Sequence, residues 1–348
     1  MSTSPTVGDR VAVVALCTAL ARRAGGPAPF GPSGWARIEV ALEAAGLRPA
    51  DLFDLGPSGA GEILGISADA ATRLKLLLDA AGPVSIELER LADRGIWTLC
   101  SIEQEYPARL RRVLGPGAPP VLFGAGDRST VSIGGVAIVG SRKASSGALA
   151  FTSDLGCAVA RARSCVISGG AAGIDRTAMT SAHEAGGPVV GVPADHLDRL
   201  IRGPSTRAAL ADGQLALVTP YMPSTGFSVR TAMGRNKLVY ALADVAIVVT
   251  TAKGEGGTWA GALETLDRGA PPLFVRRASD EPGTEALAVL GATPLPFDTV
   301  PETLSPADLL ATQPAEPLNR VEQVTIFGGA EPVAKPKAKR TNKNTESL

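Results

Sequence analysis

The sequence predicts an α/β protein in which a doubly wound, mostly parallel sheet follows an N-terminal helical domain. Two observations carry that expectation. From residue 134 onward, short β-branched runs at 136–139, 165–168, 189–192, 215–218, 245–250 and 273–275 alternate with helix-length segments. Strands alternating with helices pair in parallel through right-handed crossovers. The runs are also apolar throughout, as strands are when a sheet is covered on both faces. Composition agrees: 348 residues with 45% apolar and 20% charged side chains can bury a sizeable core, which excludes a fully disordered chain.

Residues 1–90 read as a helical domain, with helix-compatible spacing at 9–23, 34–46 and 69–81. The breaker clusters Gly25-Gly26-Pro27 and Gly56-Pro57-Ser58-Gly59 separate these segments. Between Leu52 and Leu78, Gly61 and Gly65 precede an amphipathic helix that begins after Ser67. This outlines a SAM- or helix-hairpin-like module of the kind that holds DNA phosphates at a helix N-terminus, with plain helical packing as the alternative. Residues 91–280 form the Rossmann-like domain, with helices expected at 147–163, 174–185, 197–211, 231–243 and 258–268. Residues 281–328 read as a small C-terminal remainder. The tail at 329–348 is expected to be disordered and basic: Lys335, Lys337, Lys339, Arg340 and Lys343 stand against Glu331 and Glu346.

Several function classes drop out early. Lysine plus arginine equals aspartate plus glutamate at 34 each, so a polyanion would have to be met by a local site. Four cysteines without CxxC spacing and only two histidines argue against structural zinc, a disulfide framework or a metal centre. No cofactor is expected. The apolar run from Val11 to Ala21 is eleven residues long, too short to cross a bilayer, and it lacks the basic start of a signal peptide. The chain is therefore expected to be cytoplasmic, without membrane insertion.

In a doubly wound sheet the ligand sits beyond the carboxyl ends of the strands, so the loops there carry the chemistry. The first runs Gly140-Ser141-Arg142-Lys143-Ala144-Ser145. Gly140 permits close backbone approach, Ser141 and Ser145 offer hydroxyls, and Arg142 can fork onto a phosphate, with Lys143 beside it. The second, Ser168-Gly169-Gly170-Ala171-Ala172-Gly173, enters a helix whose orphan amides and dipole favour an anion. It is neither a GxGxxG dinucleotide turn nor a Walker loop. The third, Phe227-Ser228-Val229-Arg230 followed by Gly234-Arg235-Asn236-Lys237, places Arg235, Asn236 and Lys237 near the start of a helix, where cations are unfavourable unless an anion stands before them. Phe227 and Tyr240 are candidates for stacking a base or for the core. The fourth, residues 253–258, is glycine-rich and ends in Gly257-Thr258, with Thr258 expected as a helix cap.

The order VAIVGSRKAS, VISGGAAGID, GRNKLVYALADVAIVV and GGTWAGALETLDRG resembles the bacterial DprA/Smf DNA-processing family. The upstream stretches GIWTLCSIEQEYP at 95–107 and PPVLFG at 119–124 are similar to that family's entry into its Rossmann-like domain. The resemblance spans roughly residues 90–280. It implies binding of single-stranded DNA without hydrolysis, a homodimer, and RecA as a partner loaded onto strands in natural transformation, competence or recombination. Ser141 and Arg142 match the family's GSR turn. Ser168, Gly169, Gly173 and Asp175 match its second loop, and Arg235 and Asn236 match its RN element. On this reading Arg142, Arg235 and Lys237 neutralise consecutive phosphates, the amides of 168–173 grip a phosphate oxygen, and Asp175 orders the loop. There are departures: Gly170 and Ala172 replace the family's leucine and arginine, and Met179 stands near its usual histidine.

The sequence also resembles the LOG-like enzymes, which cleave nucleoside monophosphates with a glutamate beside a GGxGT loop. Here Gly254 to Thr258 reads GEGGT, but Gly261 stands where that glutamate is expected, and Glu264 lies one residue triplet further on. Three residues advance a helix by about 4.5 Å, a severe misplacement for a catalytic carboxylate. No catalytic residue is therefore assigned. A small-nucleotide-sensing module is a third alternative, sharing the phosphate cradle without needing a glutamate.

Overall fold

The computed structural model describes residues 4–21, 25–278, 282–295 and 306–311. Five helices open the chain: α1 (Val7–Cys17), α2 (Pro32–Ala45), α3 (Pro57–Leu64), α4 (Ala68–Leu78) and α5 (Ala81–Asp93). Local chemistry explains their ends. Thr6 and Asp9 close a reciprocal capping box on α1, and Ser67 caps α4 through the Ala70 amide. Pro32 and Pro57 occupy first helical positions, where a missing N–H costs nothing. The expected 9–23 helix stops at Cys17, since Thr18 is extended and its hydroxyl bonds back to Val14 O at 2.8 Å.

The strands are β1 (Trp97–Cys100), β2 (Val121–Ala125), β3 (Val136–Val139), β4 (Val166–Ser168), β5 (Val189–Gly191), β6 (Leu215–Thr219), β7 (Val245–Val248), β8 (Leu273–Val275) and β9 (Thr293–Pro294). They form one sheet in the order β1-β2-β6-β5-β4-β3-β7-β8-β9. Pairing is parallel from β6 through to β9, while β1–β2 and β2–β6 are antiparallel. From β3 the chain winds outward through β4, β5 and β6, then returns to β7 on the other flank of β3. Connections diverge at the β3/β7 boundary, the switch point where such sheets bind ligands.

The remaining helices are α6 (Ala108–Leu114), α7 (Ser146–Arg161), α8 (Ile174–Glu184), α9 (Leu197–Leu200), α10 (Pro204–Ala211), α11 (Val229–Leu242), α12 (Gly256–Arg268), α13 (Pro282–Val289) and α14 (Pro306–Ala311). The single helix expected at 197–211 is two, because Pro204 cannot continue α9 and instead starts α10. Side chains of β3 alternate between two cores. Val136 and Ile138 face a cluster that includes α1, α7 and α8, whereas Ala137 and Val139 face one with α6, α11 and α12. Both faces are thus covered, as the unbroken apolar runs require.

The helical region is fastened to the β1 end of the sheet. Trp35 Nε1 donates to Ser101 Oγ at 2.9 Å, and Arg10 pairs with Glu103 at 2.5 Å. The sheet itself continues past residue 280, where β9 pairs with β8. The tail at 329–348 lies outside the described residues. Among those described, no helix is long and apolar enough to cross a membrane, and no cluster of His, Cys, Asp and Glu could hold a metal.

Candidate functional site

The loops that leave β3 and β4 interlock at the carboxyl edge. Gly173 opens α8 with φ +84°, and a Cβ there would strike the carbonyls of Ser141 and Arg142. The Ile174 amide reaches Ser141 O at 3.3 Å. Ser145 caps α7 by accepting from the Ala148 amide at 3.2 Å, and Ser141 Oγ accepts from the Lys143 amide at 3.1 Å. The fourth loop closes on the first: Thr258 Oγ1 donates to Gly140 O at 3.2 Å. Thr258 is therefore a latch between α12 and the β3 loop. The cap position belongs to Glu255, because α12 begins two residues before Thr258.

Beneath the second loop lies a buried ion pair. Arg235 of α11 is 5% exposed, and its Nη1 stands 3.9 Å from Asp175 Oδ2. Gly169 covers the guanidinium so closely that any Cβ there would overlap it. Arg235 Nε and Nη1 have no hydrogen-bond partner among the described residues. Burial pushes the Asp175 carboxyl up to about 6, against the opposing pull of Arg235 and the amides of Gly140, Ala171 and Gly169. Burial likewise pulls the Arg235 guanidinium down, and the nearby Arg142 charge adds to that, while Asp175 and Asp195 oppose it.

This geometry revises how the second loop works. The amides of Gly169 and Ala171, expected to face a phosphate, are turned toward Asp175. The carboxylate orders the loop from inside, as expected for Asp175. Ser168 is fully buried, and its hydroxyl donates to Ile138 O at 2.6 Å, tying β4 to β3. Gly170, at φ +71°, holds the outer turn of the loop.

The three cations expected to act together are divided. Arg142 is exposed and stacks over the Phe227 ring at 5.6 Å. Arg235 lies below it. Lys237 sits two positions after Arg235, about 200° around the helix, and so faces elsewhere. Its Nζ bonds Glu264 Oε1 at 2.8 Å, and Arg268 bonds the same oxygen. Burial would raise the Glu264 carboxyl, but hydrogen bonds from Lys237 and Arg268 hold it below its ordinary range. Asn236 Nδ2 donates to Gly257 O at 3.0 Å, joining α11 to the start of α12.

Sequence reasoning assigned no site role to Tyr221 and Asp195, which the fold brings near Arg235, while Arg230, part of the third loop read from the sequence, stands near Tyr221. Phe227, half exposed at 54%, completes this outer wall. Asp195 and Tyr221 arrive on the connections after β5 and β6, where no glycine motif marks them, whereas Phe227 and Arg230 belong to the third loop singled out in the sequence. What assembles is an exposed arginine on an aromatic ring above a buried arginine–aspartate pair, at a sheet edge suited to anions.

A family model described as DNA recombination-mediator protein A matches residues 97–294. The chain belongs to that family. The matched span begins at β1 and ends at β9, so the DNA recombination-mediator family region takes in the whole sheet. Among solved structures, DNA processing protein A from Streptococcus pneumoniae superposes with a TM-score of 0.66 at 19% identity, covering 89% of this chain and 98% of that one. DNA processing protein A from Helicobacter pylori, whose structure concerns its single-stranded DNA binding mode, gives 0.46 at 24% identity over 56% of this chain and 86% of that one. The molybdenum cofactor carrier protein of Chlamydomonas gives 0.29 at 19% identity, covering 40% of this chain and 74% of that one. No curated protein matches the chain. The Streptococcus likeness establishes the fold, a Rossmann-like sheet with a helical N-terminal region.

Proposed function

We propose that this chain binds single-stranded DNA through its phosphate backbone, without cleaving it, and delivers the strand to a RecA-type recombinase, acting as a homodimer. The observation that carries the reading is the Arg142–Phe227 pair, an exposed cation over one face of a half-exposed ring at the sheet's carboxyl edge. A guanidinium can grip a phosphate bidentately, while an aromatic face accepts any base without reading its edge. Membership in a family of recombination mediators supports the same reading.

Catalytic cleavage is not favoured. Glu264 is held ionised between Lys237 and Arg268, so it is unsuited to donate a proton, and a side chain at Gly261 would press on the Tyr240 ring. The test is fluorescence anisotropy with labelled oligo-dT across a salt series. Arg142→Ala should weaken binding and reduce the slope of log K against log salt by about 0.7, the share of one phosphate on a single strand. An unchanged affinity and slope would remove Arg142 from the interface.

A further inference from the structure

A second cleft opens toward the amino end of β6, between the α5–β1 turn, the end of β2 and the helices α9 and α10. It is an open cleft of about 570 Å³, within the volume range of small-ligand sites. Its walls combine three features. Ile96, Ile201 and Leu210 supply an apolar floor. Arg94, Arg202 and Arg207 stand around it, and Arg207 makes no ion pair among the described residues. Asp198 also lines it with spare acceptor capacity: Oδ1 is buried without a partner, and Oδ2 has only Arg202 at 3.7 Å, beyond hydrogen-bond length.

Cations for an anion, an apolar floor and an unfilled acceptor for an N–H group are together recognition elements of a nucleotide. A backbone tie runs from α9, at one end of the cleft, to the loop of the first site. The His196 amide bonds Thr225 O at 2.7 Å, and the Asp198 amide bonds Pro223 O at 3.1 Å. The loop that carries Tyr221 and Phe227 into the first site is thereby tied to the first turn of α9, which lines the second. We propose that this cleft holds a further nucleotide of the same single strand, its phosphates on Arg202 and Arg207 and its base on the apolar floor. The inference rests on the single-stranded DNA reading above.

The test compares the full chain with the double variant Arg202→Gln/Arg207→Gln, both positions being exposed surface arginines, after a thermal melt verifies the fold. Anisotropy is read with a thymidine hexamer, a thymidine twenty-mer and free thymidine monophosphate across a salt series. We expect the variant to lose about tenfold or more in affinity for the twenty-mer, with a salt slope shallower by about 1.4, the share of two phosphates. Hexamer binding, centred on Arg142, should change far less. A variant that binds the twenty-mer with unchanged affinity and slope overturns the cleft assignment while leaving the first site standing. Loss of monophosphate binding alone, with the twenty-mer unaffected, would also overturn it, marking a free-nucleotide pocket instead. Wild-type protein that binds neither oligonucleotide would remove the single-strand reading and this inference together.

Discussion

Arg235 and Asp175 set the charge of the site, and their environment makes it depend on pH. Asp175 has a folded value of about 6 against an ordinary 3.8, so the folded protein holds that proton more tightly than the unfolded chain. Its contribution to stability is therefore lost as pH rises from about 3.8 to about 6 and is constant above that window. Binding follows the same proton. Above about pH 6 the carboxylate offsets Arg235, and below it the site gains one net positive charge. We expect single-strand affinity to rise severalfold between pH 7 and pH 5, and the rise to be absent in Asp175→Asn; a flat wild-type profile would contradict the pairing. Little of this was legible from residue types alone. The sequence marked Arg142, Arg235 and Lys237 equally, because spacing shows that cations are near one another but not which face of α11 each occupies. Lys237 was lost to Glu264, a partner twenty-seven positions away that no local pattern announces.

At the scale of elements, the strand-to-helix turns of β3 and β4 were readable because glycine in such a turn has few other uses. The strands at 136–139 and 273–275 stand as their apolar runs predicted. β1 and β2 were not separable by rhythm, since they join antiparallel through α6 and fall outside the β–α alternation. The break between α9 and α10 was missed because apolar spacing continues across Pro204. The interlock of the two turns yields a prediction. Gly173→Ala forces a left-handed backbone on alanine and drives its Cβ into the Ser141 and Arg142 carbonyls. It should destabilise the fold by about 1–3 kcal/mol and displace Arg142 enough to weaken DNA binding. A chemical melt paired with anisotropy checks both; full stability with full binding would show that the turns do not depend on this contact.

For the whole molecule, the doubly wound topology was the most legible feature, because the order of strands and helices alone constrains it. Less legible was the way the loops after β5 and β6 bring Asp195 and Tyr221 to the site and tie it to α9, although Phe227 and Arg230 stand in the third loop marked by the sequence. Asp195 and Tyr221 sit in no motif, and only the assembled open sheet places them. With formal charge balanced across the chain, affinity for a polyanion must come from local sites. The central claim is that the edge binds single-stranded DNA through its backbone. The most direct measurement is anisotropy with labelled oligo-dT and a matched duplex over a salt series, with an unlabelled nucleoside monophosphate as competitor. The account predicts preference for the single strand, steep weakening with salt, and little displacement by the monophosphate. Equal or absent binding of the two DNAs, or displacement by a low concentration of monophosphate, would contradict it.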